Sequence, residues 1–143
     1  MRRRRRLTRD QKLIVSAVAA GLLLAAGHGH GGPGHVTAAA ARSGSSNEQL
    51  ANSMAASGYG WTGTQATCLD ELWTEESGFS ATAVNRSSGA TGIPQLLPGA
   101  HAIPANWSDP RVQIRWGLAY IHDTYGSPCA AWAFEKSHIP NWY

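Results

Sequence analysis

The stretch CLDELWTEESGF (residues 68–79) combines an amphipathic helical pattern with two adjacent glutamates. Its apolar side chains recur three and four residues apart, as on one helix face: Leu69, Leu72 and Trp73. At about 100° per residue, Glu76 falls near the middle of that face and Glu75 at its edge. The pattern therefore predicts a solvated Glu75 and a Glu76 directed toward the apolar interior.

A carboxyl group on an apolar helix face has a raised pKa, because burial disfavours its charged form. Such a group can act as a general acid near neutral pH. The alternative is that the helix ends at Glu76 and its carboxylate turns to water, and periodicity alone does not separate the two. The next segment, residues 77–107, is rich in Gly, Ser and Pro. Loops of this length are uncommon in small domains and usually have a function.

Three helices are predicted. The first covers residues 47–57 and begins at a capping residue, Ser46 or Asn47. The second begins at a capping box formed by Thr62 and Gln65 and runs to Glu76.

The third predicted helix has Asp109 as its cap and Pro110 at its first position, and it stops at Gly126. A short apolar piece, residues 128–134, follows it. No sustained strand alternation is visible, so we expect one compact, mainly helical domain.

The first 41 residues have the features of a secretory signal and leader. Arginines at positions 2–6 precede an uncharged apolar run at 13–27, which is shorter than a membrane span. The His-rich stretch 28–35 is expected to be discarded with the signal, the alternative being a metal-binding N-terminus. We expect the domain, residues 42–143, to be secreted, with no membrane contact after signal removal.

The charge of the predicted domain argues against nucleic acid as a partner. The full chain has a formal net charge of +3, but residues 42–143 carry five basic and eight acidic side chains, a net charge of −3. The basic character belongs to the leader, so it is no evidence for a nucleic-acid surface.

Cys68 and Cys129 are the two cysteines of the chain. In an exported protein the oxidising compartment favours a disulfide between them, the alternative being two free buried thiols. Closing a loop of this length stabilises a fold by about 4 kcal/mol on the chain-entropy model.

The segment ESGFSATAVNRSSGATGIPQLLP (76–98) resembles the signature of soluble lytic transglycosylases, which share the goose-type lysozyme fold. The later GLAYI (117–121) is similar to a helix segment of the same family. Residues 42–143 as a whole resemble small secreted transglycosylase-like proteins, including aggregation-promoting-factor C-terminal-like domains. The shared features are the Cys-Leu-Asp helix, Gly-Ile-Pro-Gln, a second Cys before Ala-Trp-Ala, and a terminal Trp-Tyr.

The resemblance implies a small, mainly α, lysozyme-like domain that cleaves peptidoglycan glycan strands with Glu76 as its single acid/base. Ser77 and Gln95 would hold substrate or position Glu76, and Tyr120 would line the cleft. The family's Ala-Tyr-Asn segment reads Ala-Trp-Ala here, so Trp132 stands where a tyrosine contacts the catalytic Glu, and its indole N–H could donate to Glu76. We expect a monomer without metal or cofactor.

Two alternatives remain at this stage. One is a wall-binding or aggregation-promoting module that grips glycan without cutting it. The other is muramidase-type hydrolysis, which needs a second carboxylate, for which Asp109 is a candidate. Asp70, Glu71 and Glu75 point away from Glu76, and neither Asp123 nor Glu135 has an evident reason to face it. A mechanism with one carboxylate therefore suits the sequence better.

Overall fold

The computed structural model describes residues 36–138, and the side chains of 42–137 within them. The described chain folds into four helices: α1 (Val36–Tyr59), α2 (Thr64–Ser77), α3 (Pro110–Thr124) and α4 (Pro128–His138). The prediction of a mainly helical domain is confirmed. The predicted signal, the His-rich stretch at 28–35 and the terminal Trp-Tyr lie outside the described residues. Within residues 36–138, no helix is both long and apolar enough to cross a membrane.

Helix α1 begins well before the predicted start at Ser46 or Asn47. It includes the alanine-rich residues 38–41, which favour helix, and it crosses the predicted domain boundary at residues 41 and 42. Asn47 is therefore not a cap. Its buried side chain instead donates a hydrogen bond of 2.9 Å from Nδ2 to the carbonyl of Phe79 and ties α1 to the loop after α2.

The start predicted for α2 is also wrong in detail. Gly63 is the N-cap residue, with a φ of 54° and no side-chain cap hydrogen bond. The side chain of Gln65 serves α4 instead, since its Oε1 accepts a hydrogen bond of 3.0 Å from the backbone N–H of Cys129. The start of α4 is thus capped by a side chain of α2, and local sequence spacing does not reveal such a cap.

The predicted start of α3 and the predicted disulfide are confirmed. Asp109 caps α3 by accepting a hydrogen bond of 2.8 Å from the backbone N–H of Arg111, and Pro110 is the first helical residue. The Cys68–Cys129 disulfide joins α2 to α4. The apolar piece at 128–134 is the first part of α4.

The helices enclose one apolar core. Its largest fully buried members come from α2, α3 and the loop between them: Trp73, Leu69, Ile93, Leu96, Ile114 and Leu118. Ala51 and Ala55 bring α1 against this core. Between α2 and α3 the chain forms successive turns, and its extended pairing is limited to isolated bridges between Val84 and Thr91 and between Thr91 and Leu96.

The side chain of Gln113 holds this long loop in place. Its Oε1 accepts a hydrogen bond of 2.9 Å from the N–H of Ile93. Its Nε2 donates to the carbonyl oxygens of Ala81, at 2.9 Å, and Trp107, at 2.6 Å. A Cβ at Gly92, where φ is +78°, would lie 2.7 Å from Gln113 Oε1, so this close approach requires glycine. A single buried amide thereby fixes three parts of the loop against α3.

Gln113→Leu should destabilise the protein by about 3 kcal/mol or more, because three backbone groups lose their partner at a cost of about 1–3 kcal/mol for each buried group. Urea unfolding measures the change. Gln49→Leu is the matched control, since Gln49 is exposed on α1 and its loss should shift the free energy of unfolding by at most about 0.5 kcal/mol. Equal effects of the two substitutions would contradict the role given to Gln113.

Candidate active site

Glu76 lies in the last turn of α2 with its side chain in the interior. It is 7% exposed and shares its helix face with the buried Leu72 and Trp73. Glu75 is exposed, and its carboxylate lies 3.3 Å from Nζ of Lys136. The predicted distinction between the two glutamates is confirmed.

Glu76 borders a small cavity between α2, α3 and α4. The lining residues come from all three helices, from the loop and from the turn after α3: Leu72, Trp73, Glu76, Pro94, Gly117, Tyr120, Ile121, Tyr125 and Ala131. The volume of about 20 Å³ admits one water molecule or a group of hydroxyl size. A larger ligand therefore has to lie outside this cavity, with only a small polar group reaching inside.

The surroundings of Glu76 favour its protonated form. Burial raises its pKa well above the ordinary value of 4.5, and the negative charges of Glu135 and Glu75 raise it further. No side chain in the described part of the chain donates a hydrogen bond to the Glu76 carboxyl group. Glu76 is thus an acid that can give up its proton to an approaching acceptor.

Glu135 is a second buried acid near Glu76, and the sequence showed no evident reason for this proximity. It is 6% exposed and lies four residues after Ala131, which lines the cavity, so the two share one face of α4. Its charge raises the pKa of both Glu76 and Tyr125. The spacing from Ala131 to Glu135 is informative only once residues 128–138 are known to be helical.

Two tyrosines complete the polar part of the cavity. Tyr120, as expected, lines it, and its ring stacks on Trp116 at 5.2 Å. Tyr125 was not predicted and follows directly after α3. Both hydroxyl groups are buried without a well-formed hydrogen bond within the described residues, although they perturb each other's pKa. Burial is the main cause that raises both pKa values, so both phenols keep their protons and remain donors.

Ser77 and Gln95 form hydrogen bonds to backbone carbonyl groups of the loop between α2 and α3. Ser77 Oγ donates a hydrogen bond of 2.8 Å to the carbonyl of Ile93, which ties the end of α2 to the loop. Gln95 is buried with a φ of 50°, and its Nε2 donates to the carbonyl of Gly92 at 2.9 Å. Ser77 and Gln95 were expected either to hold substrate or to position Glu76, and the observed contacts fit the second role.

Trp132 and Asp109 lie apart from the cavity. Trp132 is half-buried on α4 with Nζ of Lys136 4.8 Å from its ring centre, and the described residues include no hydrogen bond from it to Glu76. Asp109 is exposed and engaged as the α3 cap. The structure therefore brings Glu76 and Tyr120 together, adds Glu135 and Tyr125, and leaves these two outside the group.

No family model, curated protein or solved structure matches this chain. Within residues 36–138, no group of three or more His, Cys, Asp or Glu side chains is placed to hold a metal ion.

Glu76→Gln should make the protein more stable, and the gain should grow as the pH rises above about 4.5. The folded pKa of Glu76 is raised, so ionisation in the unfolded chain reduces wild-type stability by about 1.4 kcal/mol for each unit of difference in pKa. The glutamine variant does not ionise and avoids this loss. Urea unfolding at pH 4 and pH 8 measures it, with Glu75→Gln as the control that should show no comparable gain. A gain that is independent of pH would contradict a buried neutral acid.

Proposed function

We propose that this chain is a secreted peptidoglycan lytic transglycosylase with a lysozyme-like fold and with Glu76 as its acid/base. The observation that carries the proposal is a buried carboxyl group that faces a cavity, has a raised pKa and accepts no hydrogen bond from the described side chains. The resemblance of residues 76–98 to lytic transglycosylases supplies the substrate, the β-1,4 bond between N-acetylmuramic acid and N-acetylglucosamine.

In the proposed reaction Glu76 acts twice. Its carboxylic acid donates a proton to the glycosidic oxygen as the bond from that oxygen to C1 of the muramyl residue breaks, so the departing sugar leaves with a neutral hydroxyl group. The Glu76 carboxylate then takes the proton of the C6 hydroxyl as that oxygen bonds to C1. The product is a 1,6-anhydromuramyl end, Glu76 regains its proton, and no water is consumed.

The dimensions and donors of the site support this chemistry. A cavity of about 20 Å³ admits a hydroxyl group beside Glu76 while the sugar rings stay at its mouth. Tyr120 and Tyr125 present phenolic donors that keep their protons, and these can hold the reacting oxygens. The half-buried rings of Trp116 and Trp107, 6.0 Å apart and continuous with Tyr120, offer apolar faces for sugars.

Glu135 favours a second candidate, a muramidase-type hydrolase. Hydrolytic glycosidases use two carboxyl groups, one as acid and one as base or nucleophile. Glu135 is a buried acid whose negative charge raises the pKa of Glu76. The two reactions differ in their products, because hydrolysis adds water and gives a reducing end.

Mass spectrometry of fragments released from purified peptidoglycan by the full-length protein tests the proposal. We expect glycan ends lighter by one water. Glu76→Gln should reduce their release by at least about 100-fold, which is the lower end of what general acid–base catalysis contributes. Glu75→Gln should release them at close to the wild-type rate, because Glu75 is exposed, is paired with Lys136 and makes the smallest contribution to the raised pKa of Glu76.

Other outcomes identify the alternatives. Reducing ends would establish hydrolysis and implicate Glu135. Binding to the wall without release, unchanged by Glu76→Gln, would establish a non-catalytic wall-binding module.

Glu135→Gln should move the alkaline limb of the activity–pH profile to lower pH. The acid form of Glu76 starts the reaction, so activity falls as the pH rises through its pKa, and removing the charge of Glu135 lowers that pKa. Fragment release measured across the pH range gives the limb for wild type, Glu135→Gln and the exposed control Glu71→Gln. An unmoved limb in Glu135→Gln would show that Glu135 does not act on Glu76. Complete loss at every pH, together with reducing-end products in the wild type, would make it a reacting group.

A further inference from the structure

Helices α2 and α4 are linked at two positions that fix their direction and register. Near the two helix starts, the disulfide joins Cys68 to Cys129. Further along both helices, Lys136 Nζ lies 3.3 Å from Glu75 Oε1. Both links join residues 61 positions apart, so α2 and α4 run parallel in a single register. At about 1.5 Å per residue, the two links are about 10 Å apart along the helices.

This register holds the two groups that α4 contributes to the candidate active site. Ala131 lines the Glu76 cavity, and Glu135 is the buried acid whose charge favours the protonated form of Glu76. Both lie on α4 between the two links. If α4 left this place, Glu76 would gain contact with water and lose a negative neighbour, so its pKa would fall toward the ordinary value. An ionised Glu76 has no proton to donate.

The apolar packing of α4 is small. The helix has 11 residues, and helices shorter than about 12–15 residues are marginal without tertiary contacts. Among the described side chains of α4, the apolar ones that are fully buried are Pro128 and Ala131, while Trp132 and Phe134 are half-buried. The burial of Glu135 opposes the attachment, because a buried carboxyl group loses hydration.

The polar contacts between α2 and α4 are also modest. Gln65 Oε1 accepts a hydrogen bond from the backbone N–H of Cys129, at the same end as the disulfide. At the other end, the side chains of Lys136 and Glu75 are 53% and 45% exposed, and exposed ion pairs contribute little to stability. The disulfide is therefore the strongest single link between the two helices.

The disulfide is also open to exchange. Cys68 and Cys129 are both half-buried rather than enclosed in the core, so a small thiol can approach the bond. We propose that the Cys68–Cys129 bond is a redox switch. With both thiols reduced, α4 leaves its place on α2 and the chain is inactive, and oxidation restores both. On the proposed function, on which the effect on activity rests, the reducing cytoplasm keeps the enzyme inactive until it is exported.

The switching step is thiol–disulfide exchange with a small disulfide as the oxidant. The thiolate of one cysteine attacks a sulfur of the oxidant, which releases one thiol and leaves a mixed disulfide. The thiolate of the other cysteine then attacks the protein sulfur of that mixed disulfide, which closes the Cys68–Cys129 bond and releases the second thiol. The protein loses two electrons and two protons, and the oxidant becomes two thiols. A dithiol reverses the step.

Hydrogen–deuterium exchange of the full-length protein, oxidised or reduced with dithiothreitol, tests the structural part of this inference. In the reduced protein, we expect the amides of residues 131–137 to exchange within about 10-fold of the rate of an unfolded chain. The amides of residues 114–121 in α3 should stay at least about 100-fold slower than that rate. The double variant Cys68→Ser, Cys129→Ser cannot form the bond and should behave like the reduced protein, with or without dithiothreitol.

Fragment release from purified peptidoglycan tests the effect on activity. The reduced protein should release fragments at least about 10-fold more slowly than the oxidised protein, because fewer than about one molecule in ten then has its acid in place. Removal of dithiothreitol and addition of oxidised glutathione should restore the rate. The double serine variant should stay slow under both conditions, which shows that dithiothreitol acts through this bond.

Three results would overturn the inference. One is that the amides of α4 stay protected in the reduced protein. Another is that residues 114–121 lose their protection together with α4, since the bond would then stabilise the whole domain rather than the place of α4. The third is full activity of the reduced protein.

The proposed function is judged separately, from the oxidised protein. Anhydro ends whose release is unaffected by reduction would refute only the switch. Unprotected α4 amides in the reduced protein, together with no glycan release by the oxidised protein, would refute only the enzyme.

Discussion

The buried amide of Gln113 is the interaction on which the site depends. By bonding to Ile93, Ala81 and Trp107 it fixes a loop that has no regular secondary structure of its own. Ser77 meets the same loop at Ile93 and thereby connects it to the end of the helix that carries Glu76. The end of α2 and the loop are therefore positioned through one shared segment, and both polar atoms of the Gln113 amide are satisfied, as burial requires.

The burial of Glu76 reduces the stability of the fold. A carboxyl group placed among Leu72 and Trp73 loses hydration, and a second buried acid, Glu135, makes its ionisation still less favourable. The Cys68–Cys129 disulfide joins the helices that carry these two acids and stabilises the small domain against that loss. A buried acid of this kind is expected where reactivity, rather than packing alone, has determined the residue.

Much of α2 and α3 could be predicted because the deciding signals are local. The position of Glu76 on the apolar face follows from its spacing to residues on its own helix, and Asp109 caps the helix that begins beside it. Gln113 and Glu135 could not be placed in this way, because their partners lie on other elements. The resemblance implied that Trp132 contacts Glu76. In the structure the preceding residue of α4, Ala131, lines the cavity instead, because successive residues of a helix are rotated by about 100°.

Helix α3 shows how one element can serve two surfaces of opposite character. Gly117 has no side chain because a Cβ there would lie 2.7 Å from Trp73 and 2.8 Å from Pro94, so this face closes tightly around the Glu76 cavity. The opposite face carries Arg115 at an open groove. Tight packing on one side excludes solvent where a proton has to be held, and exposure on the other leaves a guanidinium group free to meet a soluble charge.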